Sequence, residues 1–142
     1  MGFKSDLELG NAYEIEFLKY IEYDKYLIMK GNFKPYDIEI YKDNIKTKYE
    51  VKCDRIANRT GNLCIEYICN NKGSGITTTE ADYWVYFIIK ENDTYDYYKI
   101  PTEEIKLSIA SKKYFTTMKG GDGYKSNFYL FKYALFEKYK NI

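Results

Sequence analysis

The strongest constraint on the fold is a pair of alternating polar and apolar segments joined by a short turn. Residues 36–41 and 47–53 each follow the two-residue period of a half-buried β-strand. Asp43-Asn44 between them is suited to the two-residue turn that joins antiparallel strands. The sequence therefore predicts a β-hairpin with one polar and one apolar face.

The two-residue turn fixes the pairing register of this hairpin. One face would carry Asp37, Glu39, Lys48, Glu50 and Lys52, and the other Tyr36, Ile38, Ile40, Tyr49 and Val51. The opposite charges of Glu39 and Lys48 support the register, but Asp37 would lie directly opposite Glu50. Like charges with Cβ atoms about 4.5–5.5 Å apart destabilise a sheet. A shared proton or a bound cation relieves that repulsion, and a hard cation such as Mg²⁺ suits oxygen ligands better.

Lys52 follows Glu50 by two residues and therefore lies on the same face of the strand. Its ammonium would lie beside the bound cation, where it could orient or deprotonate an attacking water and contact a phosphate. A solvated strand face with scattered charges is the alternative, and it also explains a Glu-x-Lys sequence taken alone.

The segment before the hairpin predicts a helix that carries a carboxylate on its apolar side. Ser5-Asp6-Leu7-Glu8 has the pattern of a capping box, and we extend the helix to about Ile21. Leu7, Phe17, Leu18 and Ile21 fall on one stripe together with Gly10, and Glu14 lies in its middle. A lone buried carboxylate costs several kcal/mol unless it is paired or binds a cation. A solvated strand face does not explain Glu14.

The remaining elements indicate a single domain over residues 1–142. Further strands are predicted at 25–29, 63–68, 83–89 and 94–100, a short helix after Thr77-Thr78-Thr79, a helix opening at Pro101, and a strand passing into a terminal helix over 127–140. Neither an internal repeat nor a low-complexity linker divides the chain.

Composition excludes several kinds of chemistry. The 142 residues include no histidine, and Cys53, Cys64 and Cys69 lack paired spacing, so zinc sites and histidine-based catalysis are not expected. A net charge of +1 argues against a generally basic surface, so a polyanion would have to meet a local basic patch. No stretch has the length of a bilayer span, and we expect a cytoplasmic location, or a nuclear one.

The carboxylates and the lysine described above resemble the active-site motif of a known family. Glu14 on a helix, Asp37 at the start of a strand and Glu50-Val51-Lys52 on the next strand are similar to the motif of the PD-(D/E)XK nuclease superfamily. The order and spacing resemble those of archaeal-type Holliday-junction resolvases, with 23 residues from Glu14 to Asp37 and 13 from Asp37 to Glu50. A later block that begins at Thr60-Gly61-Asn62 resembles small phage or viral members. The resemblance implies an α/β restriction-endonuclease-like fold, with a mixed central sheet flanked by helices.

The resemblance also implies a function, a Mg²⁺-dependent DNA endonuclease in which Mn²⁺ can substitute. Asp37, Glu50 and the backbone carbonyl of Val51 would bind the metal. Lys52 would serve the attacking water, and Glu14 would complete the metal shell, directly or through water. Resolution of branched DNA needs two sites and would imply a symmetric homodimer. Two alternatives stay open: a non-catalytic nucleic-acid-binding or assembly subunit with a nuclease-like fold, and a phosphate-binding or metal-storing module.

Four further residues are secondary candidates. Glu66 could point towards the same cleft and contact Lys52 or a water of the metal, or it could be a surface carboxylate on an edge strand. Arg55, Arg59 and Lys72 lie after the hairpin and are candidates for contacts to DNA phosphates. An ordinary solvated loop is the alternative explanation for each of these three.

Overall fold

The structure, a computed structural model, describes residues 6–31 and 35–141. Within these residues the chain forms three α-helices, nine β-strands and short 3₁₀ turns. The helices are α1 (Asp6–Phe17), α2 (Ala57–Thr60) and α3 (Thr102–Ala110). The strands are β1 (Lys25–Ile28), β2 (Ile38–Lys42), β3 (Ile45–Asp54), β4 (Asn62–Cys69), β5 (Lys72–Gly73), β6 (Tyr83–Ile89), β7 (Tyr95–Pro101), β8 (Thr116–Gly120) and β9 (Ser126–Lys132).

A mixed five-stranded sheet forms the centre of the molecule, in the order β1-β2-β3-β6-β7. β3 and β6 are parallel, and the other neighbouring pairs are antiparallel. The apolar run of β6 is almost entirely buried because apolar clusters cover both faces of the sheet. The α/β class and the mixed central sheet are as the sequence predicts.

The β2–β3 hairpin has the predicted register from the Ile38–Tyr49 pair to the turn, but Asp37, predicted to lie opposite Glu50, is outside the ladder. Glu39 pairs with Lys48 and Lys42 with Ile45. Asp43 and Asn44 form the turn with φ angles of 52° and 64°, the left-handed conformation that a two-residue turn of type I′ requires. Asp and Asn tolerate this conformation better than most residues, which is why the chain reverses here.

The chain leaves the regular strand at Asp37, and this changes the position of Tyr36. The Asp37 N–H donates to the Tyr49 carbonyl at 2.9 Å, although Tyr49 is already the register partner of Ile38. Ile38 belongs to the apolar cluster under α1, whereas Tyr36 lies in the cluster on the opposite face of the sheet. The prediction that Tyr36 shares the face of Ile38 is therefore wrong, because the alternation stops at Asp37.

Helix α1 packs on the central sheet through its C-terminal end. Phe17 is fully buried, with its ring centroid 4.9 Å from that of Tyr49. Leu7 is 75% exposed, so its predicted place in the core is wrong. A 3₁₀ turn follows Phe17, and Ile21 is extended, which ends the helix before the predicted boundary. Ser5 of the predicted capping box lies outside the described residues.

A second sheet, in the order β5-β4-β9-β8, covers one face of the central sheet. Leu63, Ile65 and Phe131 from this sheet are fully buried in one cluster with Trp84 and Tyr86 of β6. The sequence predicts β4 and β9 but neither β5 nor β8. In the described residues the predicted short helix after Thr79 is not formed: a 3₁₀ turn at Gly75–Thr77 precedes this point, and the chain is irregular from there to β6. The predicted terminal helix after residue 132 is replaced by a 3₁₀ segment, Tyr133–Tyr139.

Among the described helices none has the length and apolar character needed to cross a membrane.

Candidate active site

The site begins at the bend that precedes β2. Asp37 is half-buried there, and its Oδ2 accepts the backbone N–H of Val51 at 2.8 Å. The N–H and C=O of one strand residue point to the same edge of the strand. The Val51 carbonyl is therefore directed towards the side on which the Asp37 carboxylate lies, while the Val51 side chain packs in the apolar cluster under α1.

Glu50 and Lys52 flank Val51 on the opposite face of β3. The Lys52 Nζ lies 3.1 Å from the Glu50 Oε2 and 5.6 Å from the ring centroid of Trp84, which is paired with Glu50 in register on β6. The Glu50 side chain is 14% exposed and that of Lys52 is 45% exposed. The lysine thus lays its stem against the sheet while its ammonium remains accessible to a ligand.

The charge on Lys52 is held by its neighbours. Desolvation lowers the pKa of Lys52, but the carboxylates of Glu50, Asp37 and Glu66 outweigh this effect and raise it overall. Lys52 is therefore a cation at neutral pH. Of the three roles expected from the sequence, this arrangement favours orienting a water and contacting a phosphate over removing a proton.

Three carboxylates share one electrostatic environment. Burial raises the pKa of Glu14 to about 7, and the charges of Asp37 and Glu50 add to this effect. Burial also raises the pKa of Asp37, while the hydrogen bond from Val51 and the charge of Lys52 oppose the rise. The charges of Asp37 and Glu50 therefore reach Glu14 on α1, and the binding of one cation by all three stays a prediction.

The donor chemistry of this site fits a hard divalent cation. Within residues 6–31 and 35–141, no three Asp, Glu or Cys side chains approach closely enough to form a ready-made metal-binding group. Mg²⁺ does not require one, because it keeps several waters and is commonly held by one or two carboxylates. Asp37 and Glu50 would supply such carboxylates, and a cation bound by them would offset the negative charge that, after burial, raises the pKa of Glu14.

Glu66 acts on this site from the second sheet. It lies on β4, and its charge contributes to the raised pKa of Lys52. The Tyr86 hydroxyl, on β6, donates to the carbonyl of Cys64 at 3.4 Å and so joins β4 to the central sheet. The structure thus places Glu66 within electrostatic reach of the lysine.

The basic candidates lie in two separate places. Arg55 and Arg59 line a cleft of about 260 Å³ together with Lys90, beyond the C-terminal end of β3. The Arg55 Nη1 lies 3.0 Å from the Asp93 Oδ1. Lys72 is exposed on β5 in the second sheet. The structure therefore does not bring the three together into one basic patch, and their contact with DNA stays a prediction.

Glu39 has a structural role, although the alternation of the strand predicts it on the polar face of the hairpin beside Asp37. It is only 6% exposed and accepts hydrogen bonds from the hydroxyls of Tyr36 and Tyr41. These two bonds, and the ion pair with Lys46, lower the pKa of Glu39 to about 2. A buried carboxylate satisfied in this way stabilises the hairpin.

The sequence does not predict the side chains that line a cleft together with Glu14 and Asp37. A cleft of about 570 Å³ between α1 and the end of β1 is lined by Glu14 and Asp37, and also by Asn11 and Met29. Asn11 precedes Glu14 by three residues, the spacing of neighbours on one helical face. This spacing alone could have identified Asn11 as a residue of the same cleft. Nothing in the sequence alone brings Met29 beside α1.

Comparison of the chain with protein-family models, curated proteins and solved structures finds no match. The likeness to the nuclease superfamily rests on the order and spacing of the site residues.

Proposed function

We propose that this chain is a Mg²⁺-dependent endonuclease that hydrolyses DNA phosphodiester bonds, built on the restriction-endonuclease-like version of the α/β fold. One observation carries the proposal: the charges of Asp37 and Glu50 both act on Glu14, and the Lys52 ammonium lies 3.1 Å from Glu50. Concentrated carboxylates beside one lysine are suited to holding a divalent cation and a phosphate together.

The proposed roles follow from the positions of the groups. Asp37, Glu50 and the Val51 carbonyl would hold the cation, and Glu14 would bind it directly or through a water. Mg²⁺ would supply Lewis-acid stabilisation of the phosphate charge and an increased acidity of water. Mn²⁺ prefers the same oxygen donors and would substitute.

Lys52 would bind a phosphate oxygen and orient the attacking water. Its raised pKa keeps it charged while the negative charge of the reacting phosphate increases. In the proposed reaction the water oxygen forms a bond to phosphorus and one P–O ester bond breaks. The water loses a proton to solvent, and the leaving oxygen takes up a proton.

Because the net charge of the chain is only +1, DNA would be bound by local groups of basic residues. Arg55 and Arg59 in their shared cleft, and Lys72 on the second sheet, would contact phosphates on either side of the cut. A homodimer would supply the two sites that branched DNA requires.

The test measures cleavage of duplex, single-stranded and branched DNA in Mg²⁺, Mn²⁺ or EDTA. We expect cleavage with either cation and none in EDTA, and a loss of at least about a hundredfold in kcat for D37A and K52A. D43N alters an exposed aspartate in the hairpin turn and should retain activity.

Absence of cleavage by the wild type on every substrate, or equal activity of D37A and the wild type, would refute the proposal. Tight, metal-independent binding of DNA without turnover would instead support the non-catalytic nucleic-acid-binding subunit.

A further inference from the structure

The cleft between α1 and the end of β1 has a composition that the metal chemistry does not use. Glu14 and Asp37 form part of its wall, and much of the remainder is apolar. The apolar side chains are Leu7, Ile15, Ile28 and Met29. Its volume of about 570 Å³ falls within the range of clefts that hold small-molecule-sized ligands.

Two of these side chains are exposed although they are large and aliphatic. Leu7 is 75% exposed and Ile15 is 51% exposed. With Asn11 they lie four residues apart along α1 and form one stripe beside Glu14. Exposed apolar groups that adjoin a polar site are typical of a ligand-binding surface.

The negative charges that line the cleft determine which part of a nucleic acid it can bind. The carboxylates of Glu14 and Asp37 repel a phosphate except where a cation lies between them, and Lys30 is the one basic side chain lining the described cleft. A nucleobase and its sugar are uncharged and can pack against aliphatic walls. The Asn11 amide offers both a donor and an acceptor, which suits the edge of a base.

A paired base cannot enter a concave cleft without leaving the helical stack, which costs a few kcal/mol in a duplex and far less where the base is already unpaired. We propose that this cleft binds the unpaired nucleotide adjoining the scissile phosphate, and that the chain cleaves DNA at single-stranded, gapped or flapped positions. This inference rests on the proposed function, because it takes Glu14 and Asp37 as the place where the phosphate lies.

The first arm of the test compares two DNA substrates of one sequence, fully paired or with one unpaired nucleotide at the cut. Wild type should cleave the unpaired substrate more efficiently. L7S and I15S each remove an aliphatic side chain that the bound nucleotide would cover, and should lower kcat/KM on that substrate by about tenfold while leaving the paired duplex unchanged. L107S is the matched control, because Leu107 is 60% exposed on α3.

The second arm measures binding, with Ca²⁺ in place of Mg²⁺ to slow turnover. A single strand carrying 2-aminopurine at the unpaired position should change its fluorescence with wild type and L107S. I15S should bind about tenfold more weakly. Sedimentation of the same proteins records their oligomeric state.

The outcomes separate the two proposals. Equal cleavage of both substrates, or an equal loss on both in L7S and I15S, overturns the inference and leaves the nuclease. The expected fluorescence change without cleavage of any DNA supports the cleft and overturns the proposed function. A dimer that L7S or I15S dissociates, with no fluorescence change in any protein, makes the cleft a contact between copies and overturns the inference.

Discussion

Replacement of Glu14 by Gln should stabilise the protein in the absence of divalent cations. The pKa of Glu14 is raised from its ordinary value of 4.5 to about 7, first by burial and then by Asp37 and Glu50. A fully shielded group with this change in pKa would lose roughly 3 kcal/mol of stability on ionising. Because Glu14 is only half-buried, solvent screening reduces the penalty to about 1–2 kcal/mol.

The penalty has a defined pH window. Below pH 4.5 Glu14 is protonated in both the folded and the unfolded chain, so it costs nothing. Between pH 4.5 and about 7 the unfolded chain releases the proton while the folded chain keeps it, and stability falls as the pH rises. Above pH 7 the full penalty applies. Glutamine has the same shape and no charge, so the advantage of E14Q should be absent at pH 4 and complete at pH 8.

The assay is urea unfolding in EDTA at a series of pH values between 4 and 8, followed by far-UV circular dichroism. E16Q is the matched control on the same helix. Hydrogen bonds from Lys19 and Tyr95 lower the pKa of Glu16, so its charge stabilises the fold above the ordinary pKa and E16Q should be less stable at pH 8. If E14Q is no more stable than wild type at pH 8, or if both variants shift stability in the same direction, the electrostatic account of the site is incorrect.

Four other predictions concern the metal and the frame of the site. Mg²⁺ at a hundredfold excess over its Kd should stabilise the wild type by about 2.7 kcal/mol and D37N by much less, which calorimetry would detect as a higher Tm for the wild type. Y36F removes a hydroxyl that donates to the buried Glu39 and should lower the free energy of unfolding by about 1–2 kcal/mol in urea at pH 7. G75A should cost about 2–4 kcal/mol in the same measurement, because φ is +53° and a Cβ would lie 2.2 Å from a backbone carbonyl oxygen. G10A should instead stabilise the protein by about 0.5–1 kcal/mol, since a Cβ at Gly10, inside α1, would meet no heavy atom within 4 Å; an unchanged or lower stability would contradict this.

The parts of the fold that the sequence predicts are those governed by local interactions. Asp43-Asn44 sets the register of the hairpin through the backbone angles of two residues, and this register places Glu50 and Lys52 on one face. Helical periodicity predicts that Glu14 faces the sheet, and the charges of Asp37 and Glu50 reach it there, although Leu7 of the same stripe is exposed. Each of these inferences needs only the geometry of one element and the rule that a buried charge requires a partner.

The predictions that the structure contradicts are those for segments whose conformation depends on tertiary contacts. β8 has no alternation of apolar residues, and pairing with β9 rather than its own pattern makes it a strand. Tyr36 changes face because the backbone bends at Asp37, where the Asp37 carboxylate and not a strand neighbour accepts the Val51 N–H. The separation of Lys72 from Arg55 depends on how the two sheets pack. The sequence near either residue does not predict that packing.

The parallel pairing of β3 with β6 has a consequence for the order of folding. The β2–β3 hairpin closes a two-residue turn, a local event that takes about 1–10 μs in isolated hairpins. β6 can join β3 only after a crossover that contains α2, β4 and β5, and closing this longer loop costs more entropy. We expect the strand bearing Glu50 to meet Asp37 early, and the β3–β6 ladder to set the refolding rate. Substitutions in the crossover would then slow refolding, while those in the Asp43-Asn44 turn would prevent its first step.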